Sequence, residues 1–406
     1  MATEVSRFKP RQRHPSNARE PFPLPEGLQR QMERARAGLA QPFVGITADG
    51  TPRPRLFGIR KTGVSTQPIV AAARAFLDSL TPERRAQASF ELEANEWRQW
   101  SNIHPFLMRH GQLLEELDDA GRETALGVVR ASLSASGYRL ARDIMRLNEY
   151  IGEITGGKWD EYGEWLYWLS IFGEPSETEP WGWQLDGHHL IVNCFVLGDQ
   201  VVMTPAFMGS EPVTGETGKW KGIRVFEGEE SNGLRLMQAL DPEQQRKAII
   251  GDGPPYEHMA HAFRDNLVVP YAGLSWQDMN ERQRELLVEL IKTYTGRIRP
   301  GHAEVAFEEI EKHLPETTFA WMGRCDDDAV FYYRVHSPVI LIEFDHQAGL
   351  ALDDDNPNRD HIHTVVRTPN GNDYGKDLLR LHYETHPHHQ ANPLPSPLPE
   401  GEGTVR

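Results

Sequence analysis

The sequence predicts an α+β fold with one mostly antiparallel sheet, assembled from two β blocks at about 165–209 and 317–367 and packed with helices. Three observations carry this. Aromatic and β-branched residues concentrate in those two blocks and do not alternate strand by strand with helical segments, which disfavours a doubly wound parallel sheet. Apolar residues at helical spacing fill the stretch before each block. Neither block holds enough strands to stand comfortably as a sheet by itself, so the two are expected to pair.

Taken in order, residues 1–24 are polar, Pro-rich and Arg-rich and are expected to form a mobile N-terminal arm. From about 66 to 152 the pattern is helical. Thr81-Pro82 supplies an N-cap and a first-turn proline, and Leu140, Ile144, Leu147 and Ile151 recur on one helical face. Gly137 is expected to separate two of these helices. WLYWLSIFG then opens the first β block, followed by GHHLIVNCFVLGDQVVMTP (187–205), where Gly198-Asp199-Gln200 predicts a hairpin turn. Neighbouring strand side chains point to opposite faces, so His188 and His189 are expected on different faces. His188 would join Leu190, Val192, Cys194 and Val196 in the core, while His189, Ile191, Asn193 and Phe195 would line a site. Asp241-Pro242-Glu243-Gln244 reads as a helix cap, Leu286, Leu290 and Ile291 mark a helix ending before Gly296, and another follows at 302–314. TFAWMG, AVFYYRVHSPVILIEFD and HIHTVVRTP are the strands of the second block. Residues 25–385 are expected to form a single domain and 386–406 a disordered Pro/Gly-rich tail in which His386, His388 and His389 carry no function. No repeat of 20 to 50 residues is visible, and no P-loop or dinucleotide fingerprint.

Composition excludes several function classes. Of 406 residues, 39% are hydrophobic and 25% charged, and no apolar run reaches the roughly 20 residues a membrane span needs. A net charge of -16, with no basic cluster to reverse it locally, argues against a nucleic-acid partner. The N-terminal stretch lacks the apolar segment of a secretory signal, and Cys194 and Cys325 are too few for a disulfide framework, so a cytoplasmic protein with reduced thiols is expected.

The runs FGEPS, PWGWQLDGHHLIVN, TPAFMGSEP, FYYRVHSPVILIEFD and HIHTVVRTPNGNDYGKDLLRLHY together resemble an uncharacterised bacterial family known as domain of unknown function 3500, over roughly residues 66–385. That family usually shows a GANP-like run where this chain has Gly209-Ser210-Glu211-Pro212, and an asparagine where it has Asp360. The resemblance implies the architecture of the chain and no activity.

The chemistry is therefore read from the residues. His361 and His363, two apart on a strand, point the same way, with Arg367 further along that face. Glu343 in VILIEFD projects a carboxylate from an otherwise buried strand, where it needs a cation or donors. If these strands are neighbours, Glu343, His361 and His363, with His189 as a further ligand or general base, are expected to hold one divalent ion (Zn, Mn or Fe) with open positions for water or substrate. Asn193 would orient that water, Arg367 would clamp an anionic group, and Trp181 and Trp183 would offer a stacking wall. Structural readings stand beside these: Glu343 pairing with Arg334 or Arg367, hydrogen-bonded strand histidines, and tryptophans that are simply core. His258 and His261 in EHMAHAF share a possible helical face, and His336 and His382 are reserve candidates. The leading expectation is a metal-dependent hydrolase acting on a small anionic or aromatic molecule. Its rivals are a non-haem Fe(II) oxygenase and a non-catalytic small-ligand-binding protein.

Overall fold

The computed structural model describes residues 6–11, 17, 19, 26–102 and 109–385. The expected tail at 386–406, with its histidines, and most of the expected arm at 1–24 lie outside the described residues. Within that arm, residues 6–11 lie along the chain near 351–355: Arg11 N donates to Ala351 O, and Asp353 N to Lys9 O.

Capping residues and apolar spacing set the first helices. After α1 (Glu26–Leu39) come α2 (Gln67–Ser79) and α3 (Pro82–Ala88). The Thr81 side chain accepts from Arg84 N at the start of α3, and Pro82 occupies the first turn, where a missing N–H is harmless. A short strand β1 (Ser89–Phe90) follows, then β2 (Gln112–Leu113), α4 (Asp119–Ser132) and α5 (Ala135–Ile154). Gly137 does not separate helices; it sits in the first turn of α5, where a Cβ would come 2.2 Å from Arg297 O. Close approach of two backbones, not a chain break, requires glycine there.

The first β block is β3 (Tyr167–Phe172), β4 (Trp181–Gly187), β5 (Leu190–Leu197), β6 (Gln200–Val202) and β7 (Ala206–Ser210). Next come α6 (Glu227–Gln238), α7 (Pro242–Ala248), β8 (Ile249–Gly251), β9 (Leu274–Ser275), α8 (Glu281–Thr295) and α9 (His302–Glu311). α7 opens on the capping box expected of Asp241 and Gln244. The second block is β10 (Thr318–Gly323), β11 (Phe331–His336), β12 (Leu341–His346) and β13 (Ile362–Arg367), and α10 (Lys376–Thr385) closes the described chain.

As expected, both blocks join one sheet, in the order β1-β3-β4-β5-β7-β13-β12-β11-β10-β8. It is antiparallel from β3 to β10, and parallel pairing occurs at its two outer pairs, β1 with β3 and β8 with β10. The junction of the blocks is the β7–β13 pair, in which Phe207 faces Val365 and Gly209 faces His363.

The two halves of the sheet are built alike. In each, a helix pair (α2 and α3, or α6 and α7) leads into a short strand parallel to the first long one (β1 on β3, β8 on β10). A second short strand then pairs antiparallel with that same strand (β2 on β3, β9 on β10) before another helix pair. Gly111 and Gly273 begin this second step with φ of +95° and +93°, each where a Cβ would strike the neighbouring long strand. Thr81-Pro82-Glu83 and Asp241-Pro242-Glu243 start the corresponding helices. The chain thus carries one long structural repeat, at about 67–210 and 227–367, far above the 20 to 50 residue period.

One face of the sheet packs on the helices through Trp181, Trp183, Val192, Met208, Trp321, Tyr333 and Phe344. The other is covered by loops and carries a smaller cluster with Trp97, Trp100, Ile191, Phe207, Val365 and Tyr374. Polar residues mass on this second face, and the candidate site lies there. No described helix is long and apolar enough to cross a membrane.

Candidate metal centre

Three imidazoles meet on the loop-covered face, at the end of the β5–β7–β13 seam. His189 arrives from the turn between β4 and β5, with φ +62°. Its carbonyl accepts from Gly209 N at 2.8 Å, and Tyr167 Oη donates to His188 O at 2.9 Å, which fixes the turn on both sides. His361 stands just before β13, and His363 lies within it. The Nε2 atoms of His361 and His363 are 3.0 Å apart, and those of His361 and His189 are 3.3 Å apart. All three residues are buried, and they form a group that could hold a metal ion.

Local contacts prepare the set. His361 Nδ1 lies 2.7 Å from Ala348 O, an acceptor only, so Nδ1 carries a proton and the tautomer that leaves Nε2 as the ligand atom is the one favoured. Burial first, then the neighbouring His361, His189 and His258, hold His363 well below the ordinary histidine range, which leaves its ring neutral. Gly209 gives the rings room: a Cβ there would lie 2.8 Å from His363 Cδ2 and 3.3 Å from His189 Cδ2.

Two carboxylates stand behind the rings. Glu211 accepts from the backbone N–H groups of Leu350, Ala351 and Leu352, and its Oε2 is 3.9 Å from His361 Nδ1. Asp345, directly opposite His363 in the β12–β13 register, has Oδ1 2.9 Å from His258 Nε2. Burial lowers the His258 pKa most, but the charge and hydrogen bond of Asp345 together with the Glu343 and Glu257 charges outweigh it and raise the value. The ring centroids of His258 and His363 are 6.1 Å apart. A cavity of about 200 Å³, lined by Arg7, Phe8, Lys9, Glu211, Asp360 and His361, adjoins the centre.

The structure brings together only part of the expected set. His188 and His189 do not alternate across a strand; they occupy a turn, and their rings stack with centroids 3.9 Å apart, because the left-handed residue at 189 folds both to one side. Glu343 is on the correct face but outside the histidine group. Its carboxylate accepts from Met259 N, Ala260 N and Tyr332 Oη, at 3.1, 2.8 and 2.7 Å, so these donors, and not Arg334 or Arg367, satisfy it. Arg367 is no anion clamp: it is wholly buried, with Nε on Asp373 and Nη2 on Asp265, each at 2.7 Å. Asn193 does not reach a water site, because its amide is spent on Gln184 and Pro205 O. Trp181 and Trp183 point to the helix face, where their Nε1–H groups donate to Ser176 O and Ser132 Oγ. They are core.

The segment 257–263 is not helical, so the shared face expected for His258 and His261 does not form. His258 turns instead toward Asp345. His336 ends β11, where burial drives its pKa down to about 3. His382 is buried in α10. Cys194 is the buried thiol the pattern suggested, its pKa pushed up to about 12 by burial. Sequence reasoning passed over Asp345, although in EFD it lies two residues after Glu343 and so shares its face. It passed over Gly209 and the Glu211 carboxylate as parts of a site as well.

A family model described as "Protein of unknown function (DUF3500)" matches residues 62–376. No curated protein and no solved structure matches the chain.

Proposed function

The chain belongs to the DUF3500 family, a name that carries no activity, and we propose that it is a metal-dependent hydrolase whose ion is held by His189, His361 and His363. One observation carries this reading: three buried imidazoles converge with Nε2 separations of 3.0 and 3.3 Å. A tetrahedral ion with nitrogen ligands at about 2.0–2.1 Å places neighbouring nitrogens about 3.3 Å apart.

Three histidine ligands leave a fourth position, and an ion there lowers the pKa of bound water toward about 7. Hydrolysis needs no further cofactor. His361 is oriented through Ala348 O, with the Glu211 charge behind it. His258, beside Asp345 and with its ring centroid 6.1 Å from that of His363, is our candidate for the group that exchanges a proton with the substrate. A two-histidine, one-carboxylate iron oxygenase is less well supported, because Glu343 is bonded elsewhere.

The test is elemental analysis of full-length protein purified without a His-tag. We expect about one zinc, manganese or iron per chain, lost in His361→Ala and in His363→Ala and kept in Glu343→Gln. A Co(II)-loaded sample should show the d–d absorption of a low-coordinate nitrogen site, and ester or phosphoester hydrolysis should vanish on chelation and return with metal. Stoichiometric metal in both histidine variants, or none after incubation with zinc, would overturn the assignment.

A further inference from the structure

A second cavity, of about 140 Å³, lies on the helix-facing side of the sheet, back to back with the histidines across the β7–β13 pair. Its floor is Val192, Met208 and Val366, its roof Val305 and Ile310 of α9, and Arg297 forms part of its wall. The architecture explains why the space is there. In the first repeat α5 runs for 20 residues and packs on β5 and β7. Its counterpart α9 has 10 residues and packs against β6, so the corresponding stretch of sheet is left less fully covered.

The chemistry of the wall narrows what belongs inside. The lining is mostly aliphatic, and an apolar cavity of this volume takes a ligand about as large as a benzene ring. Polar side chains such as Gln200, Thr204, Thr295 and Thr368 also line it, and the buried cation among them is Arg297. It is buried, its Nη2 is paired with Glu229 at 2.5 Å, and its Nη1 lies near Met208 Sδ and Thr364 Oγ1. Its Nε–H has no acceptor among the described residues. Because Glu229 already neutralises the guanidinium, what is missing is a neutral acceptor and not an anion.

We propose that this cavity is a binding site for a small apolar molecule, of one ring or similar size, carrying a single uncharged hydrogen-bond acceptor that meets Arg297 Nε. The site is separate from the histidine centre and does not depend on it. Thr364 and His363 are consecutive residues of β13 that face the cavity side and the metal side respectively, so an occupant would lie directly behind a proposed ligand strand.

Acetophenone and ethylbenzene test this, since they match in size and differ by the carbonyl. Titration of the full chain, followed by ligand-observed NMR, should show acetophenone binding about tenfold or more tightly than ethylbenzene, the worth of one hydrogen bond from a charged donor. Ala306→Phe, which fills the cavity from α9, should abolish binding of both while keeping a melting temperature at or above that of the parent. Arg297→Lys, which keeps the charge opposite Glu229 but moves the donor, should bind the two probes alike. No binding of acetophenone, equal binding of both probes to the parent, or unchanged binding to Ala306→Phe would each overturn the proposal.

Discussion

A buried carboxylate must find donors, and the two acidic residues of EFD in β12 find different ones. The alternation of the strand is legible in the sequence, and it places Glu343, Asp345 and His363 on one face. Which partner each acid takes is decided by the 257–263 loop, more than 80 residues away in sequence and irregular in conformation, so no periodicity could reveal it. The loop presents two N–H groups to Glu343 and an imidazole to Asp345. Glu343→Gln should therefore leave metal content unchanged and lower stability by about 2 kcal/mol, the worth of a hydrogen bond to a charged group, read as a lower urea midpoint at constant slope. Metal loss in that variant would mean that Glu343 is a ligand after all. A third acid gives a pH signature. Burial alone would raise the Glu230 carboxyl, but His346 and Arg359 outweigh burial and hold it at about 2. A carboxylate depressed on folding stabilises fully above its unfolded value of about 4.3, and that contribution drains as pH falls through the folded value. Glu230→Gln should thus be less stable than the parent at pH 7, with the gap closing between about pH 4.5 and 2. A gap that persists at the acid end would assign the effect to packing.

At the scale of elements, capping residues and strand alternation were the most legible signals. Asp241 with Gln244, Thr81 with Pro82, and the strand TFAWMG stand where local chemistry puts them. The errors came where tertiary contact overrides local pattern. Gly137 is glycine because Arg297 crosses it, and GHHL reads as the mouth of a strand while in fact it is a turn held by Tyr167 and Gly209. β7 is the element that makes the histidine centre possible, since Gly209 is a floor without a side chain beneath two rings. Gly209→Ala should push β7 away from β13 at the point where His363 and His189 pack. The fold should survive, because the new methyl meets two ring edges that have some freedom, though Ile362 O at 2.8 Å leaves little slack. Zinc affinity should fall by about tenfold or more, as for disturbed outer-shell partners of metal ligands. Competition with a chromophoric chelator measures this, and parent-like affinity would show that the rings tolerate the shift.

The whole molecule poses the question of why the site sits where it does. The long repeat was invisible to a search for short periods because its halves share topology and a few turn and cap residues, such as Gly111 with Gly273, and little else. Each half builds half a sheet, with β7 or β13 as the strand that needs a partner, and the backbone bonds between these two strands close the sheet. The candidate ligands divide across that seam: His189 belongs to the first half, His361 and His363 to the second. A chain cut between Lys221 and Gly222, in an exposed turn between the repeats, should therefore give two pieces that assemble one to one when produced together. Alone, each exposes a long unpaired edge strand, which invites self-pairing or aggregation. The two-piece assembly should bind zinc at parent stoichiometry, whereas neither piece alone should hold it tightly, because at most two of the three imidazoles are then present. Size exclusion with elemental analysis of co-produced and separate pieces decides the matter. Tight, stoichiometric zinc on the 222–406 piece alone, retained after His386, His388 and His389 are removed, would show that the seam between the repeats is not what assembles the centre.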